Sequence, residues 1–348
     1  MQYYHHRKKK EVKKLINRML DKKGYERLEK NAKIEYIPGG SDREFYRIKE
    51  GEYSTIAMFT SVQREVKEFR RIQKFLSERG VGVPEIYISD SSSYLVLMED
   101  LGSESLYNLV KDTPDWDFIE YIYKRIIEFL IFMQIEINKD IKKCKTVYNR
   151  IFNYDDFRFE TTCFRFFFLQ KFCKFSEDEL KELDNEFDNL ASMLAREPLF
   201  FMHRDFQSTN IFLKNGFIRT VDFQDAHRGL LTYDIASLLR DAYVKLPRQL
   251  RNKLFSYYYS LLRIKTNLYK DIVRFRKIYV LTAIQRNMQA LGAFIRLSEF
   301  SEKKWFKKAI PAGVEFLKEG LDEVGEFNLL RGILDSPKVK KCVKSICS

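Results

Sequence analysis

Residues 200–241, FFMHRDFQSTNIFLKNGFIRTVDFQDAHRGLLTYDIASLLRD, decide how this chain is read. Asn215-Gly216 sits there between two β-rich runs, Ile211–Leu213 and Phe217–Val221. An Asn-Gly pair accepts the positive φ angles of a type I′ turn, which predicts a tight hairpin. Asn210 and Asp222 flank Gly216 at equal distance in the sequence. In register, both are expected at the hairpin's open end, roughly 5 Å apart. A carboxylate beside an amide oxygen makes a hard, oxygen-rich site suited to Mg²⁺. Asp205 lies on the loop entering the hairpin and is expected to face the same space. A carboxylate base with an Asn/Asp metal clamp is the minimum for phosphoryl transfer, which rests on positioning and charge neutralisation. The plainer alternative is an Asp and an Asn that cap turns.

His203-Arg204-Asp205 followed by Asn210 matches the H-R-D-x-x-x-x-N catalytic loop of kinases. Val221-Asp222-Phe223 stands where kinases carry D-F-G, with Gln224 in place of the glycine. Taken together, HRDFQSTN, VDFQDAHRG and LTYDIASLLRD resemble the aminoglycoside-phosphotransferase branch of the kinase fold. Within it they are most similar to bacterial amino-sugar kinases, which phosphorylate the anomeric hydroxyl of N-acetylmuramate and N-acetylglucosamine in cell-wall recycling. The resemblance implies an α+β, bilobal protein-kinase-like fold, with a small β-rich N-lobe and a larger, mainly helical C-lobe. It implies ATP and Mg²⁺, with Asp205 as general base and Asn210 and Asp222 on the metal. His203 braces the catalytic loop in this view. Asp234 is placed for an N-cap, and the matching family Asp braces the same loop.

Working outward, Val12, Leu15, Ile16, Met19 and Leu20 recur at helical spacing and Gly24 closes the segment, so residues 1–30 are expected to carry a basic amphipathic helix. Residues 31–101 read as the N-lobe. Ala32–Ile37 and Glu44–Ile48 are predicted strands around Pro38-Gly39-Gly40-Ser41-Asp42, a stretch whose glycines free backbone N–H groups to face an anion. The resemblance places a phosphate-covering loop here, with Ser41 as its side-chain contact; an ordinary turn is the alternative. Tyr53–Phe59 is the strand on which kinases usually carry a phosphate-binding Lys, and this chain has Met58 and no lysine. Arg43 and Lys67 remain as replacement cations, and Glu65 or Glu68 as the helix carboxylate. Glu99 and Leu101 are the expected main-chain contacts of adenine.

Residues 102–335 read as the helical lobe. Trp116–Asn138 is predicted as a long buried helix and Thr146–Phe175 as an aromatic one. By resemblance, Glu160, Asp225 and Arg286 are acceptor contacts. Asp225 serves equally as a turn-stabilising carboxylate and Arg286 as a brace. Gln224–Gly229 reads as a polar loop, and the basic residues 336–348 as a frayed tail.

Bulk properties set outer limits. The 348 residues carry a net charge of +13, 45% hydrophobic residues and 30 Phe, so a large folded core is expected. The charge suits polyanions, but neither basic end is interleaved with aromatics, which argues against nucleic acid. Five cysteines without a C-x-x-C pair and only four histidines leave no zinc spacing. With no secretory leader and no apolar run of about 18 residues, a cytoplasmic protein without membrane insertion is expected. Three rivals stand beside the amino-sugar kinase. They are a kinase for another small hydroxylated compound such as an aminoglycoside, a silent nucleotide-binding module, and a basic nucleic-acid or membrane binder.

Overall fold

The computed structural model describes residues 7–40, 43–113, 115–300 and 303–347. The chain forms two compact units: one from the residues up to Glu104 with Phe212–Gln224, the other from Ser105–Ile211 with the residues from Asp225 on.

The first unit is built on β1 (Lys33–Ile37), β2 (Glu44–Glu50), β3 (Tyr53–Phe59), β4 (Ile86–Asp90) and β5 (Leu95–Glu99). They form one antiparallel sheet in the order β1-β2-β3-β5-β4. Helix α1 (Lys9–Lys23) buries Val12, Ile16, Met19 and Leu20 against Tyr46, Ile48, Ala57, Phe59, Leu95 and Leu97. Each fully buried aliphatic side chain contributes about 1.5–3 kcal/mol. The helix stops at Gly24, whose φ of 75° places it in the left-handed region while its N–H caps the last carbonyls. In α2 (Gln63–Ser77), Val66, Phe69, Ile72, Phe75 and Leu76 are buried, and Phe69 stacks on Phe223. The hairpin of β7 (Ile211–Lys214) and β8 (Phe217–Thr220) turns at Asn215 and Gly216, with φ of 52° and 77°, as the Asn-Gly pair predicts. It docks through Thr220 N–H on the Gly82 carbonyl at 2.7 Å and through Lys214 on Glu99 at 2.8 Å.

The second unit is mainly helical: α3 (Leu106–Asp112), α4 (Trp116–Ile131), α5 (Lys145–Tyr148), α6 (Tyr154–Cys163), α7 (Leu183–Leu194), α8 (Leu231–Leu239), α9 (Arg248–Lys265), α10 (Ile272–Phe300), α11 (Ile310–Val324), α12 (Asn328–Asp335) and α13 (Pro337–Cys347). Two helices widen into π-helical turns, α4 at Phe132–Ile137 and α6 at Phe164–Phe172. Phe157, Phe164 and Phe168 are buried along α6 and its π-helical extension, and Phe152 just before it, whereas Phe159 and Phe166 are exposed. The short strands β6 (Leu199–Met202) and β9 (His227–Leu230) pair antiparallel.

Two expectations are corrected. Part of the polar loop Gln224–Gly229 is strand β9: its backbone pairs with β6, and such pairing leaves no alternation in a four-residue sequence. The basic tail is helix α13, docked by buried Val339 and by Lys338 on Glu179 at 2.6 Å. Among the described cysteines, Cys144, Cys163, Cys173 and Cys342 are free thiols. Among the described residues, no helix is long and apolar enough to cross a membrane.

Candidate active site

Strand β6 delivers the chain to His203, which is fully buried and lies edge-on to Phe206. The next residue, Arg204, has a φ of 79°. A bulky side chain in the left-handed region costs on the order of 1–3 kcal/mol and persists only where its surroundings impose it. What imposes it is Asp234, whose carboxylate accepts the N–H of His203 at 2.8 Å and of Arg204 at 2.9 Å. Asp234 lies within the first turn of α8, which begins at Leu231 after Leu230, so it is a brace of this loop and not the N-cap. A second carboxylate, Asp241, accepts the N–H groups of Ser208 and Tyr243, each at 2.8 Å. Burial raises the pKa of both acids, that of Asp234 to about 7. The loop is thus pinned on both sides of Asp205. Asn210 closes it by donating its amide N–H to the Asp205 carbonyl at 3.0 Å. That bond leaves the amide oxygen, and not the nitrogen, as the atom of Asn210 suited to a cation.

The Asp205 side chain is one-third exposed and meets the buried guanidinium of Arg286 at 3.3 Å. Arg286 is itself held by Ser237 at 2.9 Å, by Gln207 at 3.3 Å and by Gln289. Glu160, which the sequence puts forward as an acceptor contact, is 3% exposed. Its two oxygens accept from the Tyr233 hydroxyl at 2.8 Å and the Gln285 amide at 3.0 Å, and Arg204 stands 3.9 Å away. Burial raises its pKa against the pull of Arg204. Glu160 and Arg286 therefore sit among protein groups behind the loop. The Asp225 carbonyl accepts from His227 Nδ1 at 2.7 Å, and burial lowers the His227 pKa.

In the first unit, Asp222 has a φ of 65°, and its Oδ1 accepts from Gln224 Nε2 at 2.7 Å. Asp tolerates this conformation because its short polar side chain bonds locally. Gly39 and Gly40 lead toward Ser41, which lies outside the described residues. Arg43 donates to Glu65 at 3.1 Å, and Thr60 donates to the same oxygen at 2.5 Å. A cation from the head of β2 therefore meets the carboxylate of α2 in a chain whose β3 lacks lysine. Glu68 instead meets Arg64, and Lys67 is exposed. Met58 is fully buried on β3, its Cα facing Phe45 and Val96. After β5, Asp100 receives a two-pronged bond from Arg47, at 2.6 and 2.9 Å, and another from Ser54. Burial opposes the charge of Asp100, but these donors hold its pKa below the usual carboxylate range. The Glu99 N–H is used by the Glu85 carbonyl at 2.8 Å. Leu101 is buried.

Among the described residues, no three His, Cys, Asp or Glu side chains converge as a metal cage. Mg²⁺ in nucleotide enzymes is held by one or two carboxylates together with the substrate's phosphates, and the donor types of Asn210 and Asp222 fit that mode. The sequence pointed to the loop and to Asp234. It gave no role to Asp241, which bonds to the loop at Ser208, or to Gln285 and Tyr233, which hold Glu160; their distance in the sequence hides these contacts.

The family model described as the phosphotransferase enzyme family matches residues 33–265. The chain is 24% identical over 305 residues to the N-acetylmuramate/N-acetylglucosamine kinase of Pseudomonas aeruginosa, covering 84% of this chain and 87% of that protein. It is 30% identical over 132 residues to the enzyme of the same name from Neisseria meningitidis, covering 38% and 40% of the two chains. Among solved structures, the choline kinase LicA of Streptococcus pneumoniae superposes with a TM-score of 0.58 at 14% identity, covering 88% of this chain and 99% of its own. An ADP-bound aminoglycoside phosphotransferase superposes at 0.57 and 14% identity, covering 88% and 98%. The fold is protein-kinase-like.

Proposed function

This chain belongs to the phosphotransferase enzyme family and is an ATP-dependent kinase, and from that premise we propose that it phosphorylates the anomeric hydroxyl of an N-acetylated amino sugar. The observation that carries the reading is the pinned loop around Asp205, a one-third-exposed carboxylate held at a fixed orientation by two buried acids and one buried guanidinium. The names of the curated relatives support N-acetylmuramate or N-acetylglucosamine as acceptor, and recycling of cell-wall sugars as the setting.

In this reading Asp205 accepts the proton of the acceptor hydroxyl. The freed oxygen bonds to the terminal phosphorus of ATP, the bridging P–O bond breaks, and ADP leaves. Asn210 and Asp222 would hold Mg²⁺, which when bound would neutralise phosphate charge. Gly39, Gly40 and Ser41 cover the phosphates, and Met58, Glu99 and Leu101 border the base. Arg43, secured by Glu65, is the basic group in the place of the missing strand lysine. Arg286 and Glu160 act as positioning residues behind the loop, and Asp225 is the remaining candidate contact of the acceptor.

The test is a panel of amino sugars, neutral hexoses, choline and aminoglycosides incubated with ATP and Mg²⁺, with the phosphorylated position read by NMR. Phosphate on the anomeric oxygen of an N-acetylated sugar is the expected product. Transfer to another position or to another compound class alone overturns the assignment.

A further inference from the structure

We propose that Trp305 and Tyr243 form the platform on which the acceptor sugar lies, Trp305 stacking on the apolar C–H face of the pyranose and Tyr243 offering its hydroxyl to a ring substituent. This deepens the proposed function and rests on it. Neither residue was marked by the sequence.

Trp305 lies in a short 3₁₀ turn (Lys304–Ala309), with its ring stacked on buried Phe306 at a centroid separation of 3.7 Å. It is nonetheless 45% exposed. A large indole fixed from behind and open in front is costly to leave in water. Behind it Phe306 stacks on Phe294 of α10 at 6.1 Å, so the ring is preorganised rather than loose.

Tyr243 links this platform to the catalytic loop. Its ring lies 6.4 Å from that of Trp305 and 5.5 Å from that of Phe294. Its N–H is bound by Asp241, the carboxylate that also holds Ser208. Phe294 follows Arg286 on α10 by about two helical turns, and long helical side chains lean back toward the N-terminus. The aromatic group and the Arg286–Asp205 pair therefore share one stretch of α10. The Tyr243 hydroxyl has no hydrogen-bond partner among the described residues. Burial raises its pKa, and Asp241 and Asp205 raise it further. The hydroxyl is thus a neutral donor within electrostatic reach of Asp205.

A pyranose has an apolar face and a hydroxylated rim. An open indole beside one neutral hydroxyl, near a carboxylate base, matches that division: apolar surface gives area and a few polar groups give orientation.

The test measures acceptor and ATP kinetics for the wild type, Trp305→Ala and Tyr243→Phe. It adds a Trp116→Phe background in which Trp305 is the sole indole, since the chain has two Trp. Trp305→Ala is expected to raise the acceptor KM by about tenfold and Tyr243→Phe by about threefold to tenfold, with ATP KM unchanged. Addition of the sugar should change the fluorescence of the single-Trp protein in a saturable way. Equal acceptor KM values in wild type and Trp305→Ala, with no fluorescence change, overturn the platform while leaving the function intact. A wild-type enzyme that phosphorylates no sugar overturns the function itself, and the platform with it. Because Trp305 is exposed and Tyr243→Phe keeps the ring, circular dichroism should show both variants folded; an unchanged KM in folded Tyr243→Phe removes the hydroxyl from the proposal.

Discussion

Asp205 and Arg286 are an unequal pair: the carboxylate is one-third exposed, and the guanidinium only 9%. The buried partner is fixed by Ser237 and Gln207, so it sets the orientation of the carboxylate that meets it. Replacing Asp205 by Asn keeps the shape and an oxygen for Arg286 but removes the ability to take a proton. Turnover is expected to fall about 10²- to 10⁴-fold, the range of general-base catalysis, with nucleotide affinity by calorimetry unchanged. Near-normal turnover would remove the base role from Asp205. The spacing of Asp205 and Asn210 was legible because the loop is local. Arg286 lies 81 residues from Asp205, and Glu160 meets Gln285 across 125 residues. No local pattern encodes such contacts, and for that reason the sequence left open whether Arg286 faces a ligand or a brace.

The hairpin that ends at Asp222 is fixed less by its own turn than by what it leans on. Thr220 bonds to the Gly82 carbonyl, and a Cβ on Gly82 would lie 2.2 Å from the Ile218 carbonyl oxygen. Backbone against backbone has no rotamer to give way, so Gly82→Ala must displace the hairpin. A loss of about 1–3 kcal/mol is expected in urea unfolding, together with reduced turnover. Wild-type stability and turnover in that variant would show that the close approach is not required. Elements of this kind divide by how they are encoded. Helix α1 and strands β1–β3 were legible because each carries its own periodicity or turn residues. Strand β9 was not, because its backbone is paired by β6. Helix α13 was misread because its lysines outweighed Val339, which is almost fully buried. Asp234 stood in the sequence both as a helix cap and, by resemblance, as a brace of the loop; its bonds to His203 and Arg204 make it the brace.

Across the molecule the two units differ in how they hold carboxylates. In the first, burial works against the charge of Asp90 and Asp100, but Ser92, Ser93, Lys22 and Arg47 supply enough donors to lower both pKa values. Their contribution to stability is present above the ordinary carboxylate range and is lost only in acid. In the second, burial dominates and raises Asp234, Asp241 and Glu160. Between about pH 4 and 7, unfolded Asp234 has released a proton that the folded group retains, so the unfolded state binds fewer protons and stability falls as pH rises. The fall ends once folded Asp234 ionises at about 7. His227 acts in the opposite sense: burial lowers its pKa, so its contribution shrinks as pH drops. Comparing the wild type with Asp234→Asn cancels His227 and the other acids to a first approximation. The variant should melt lower throughout, because its amide cannot accept from both His203 and Arg204. The gap in melting temperature should be widest near pH 4, narrow toward about pH 7 and stay constant above it. A gap independent of pH over that range would mean that Asp234 is already ionised in the folded protein, and that the donors on the catalytic loop, rather than burial, set its charge.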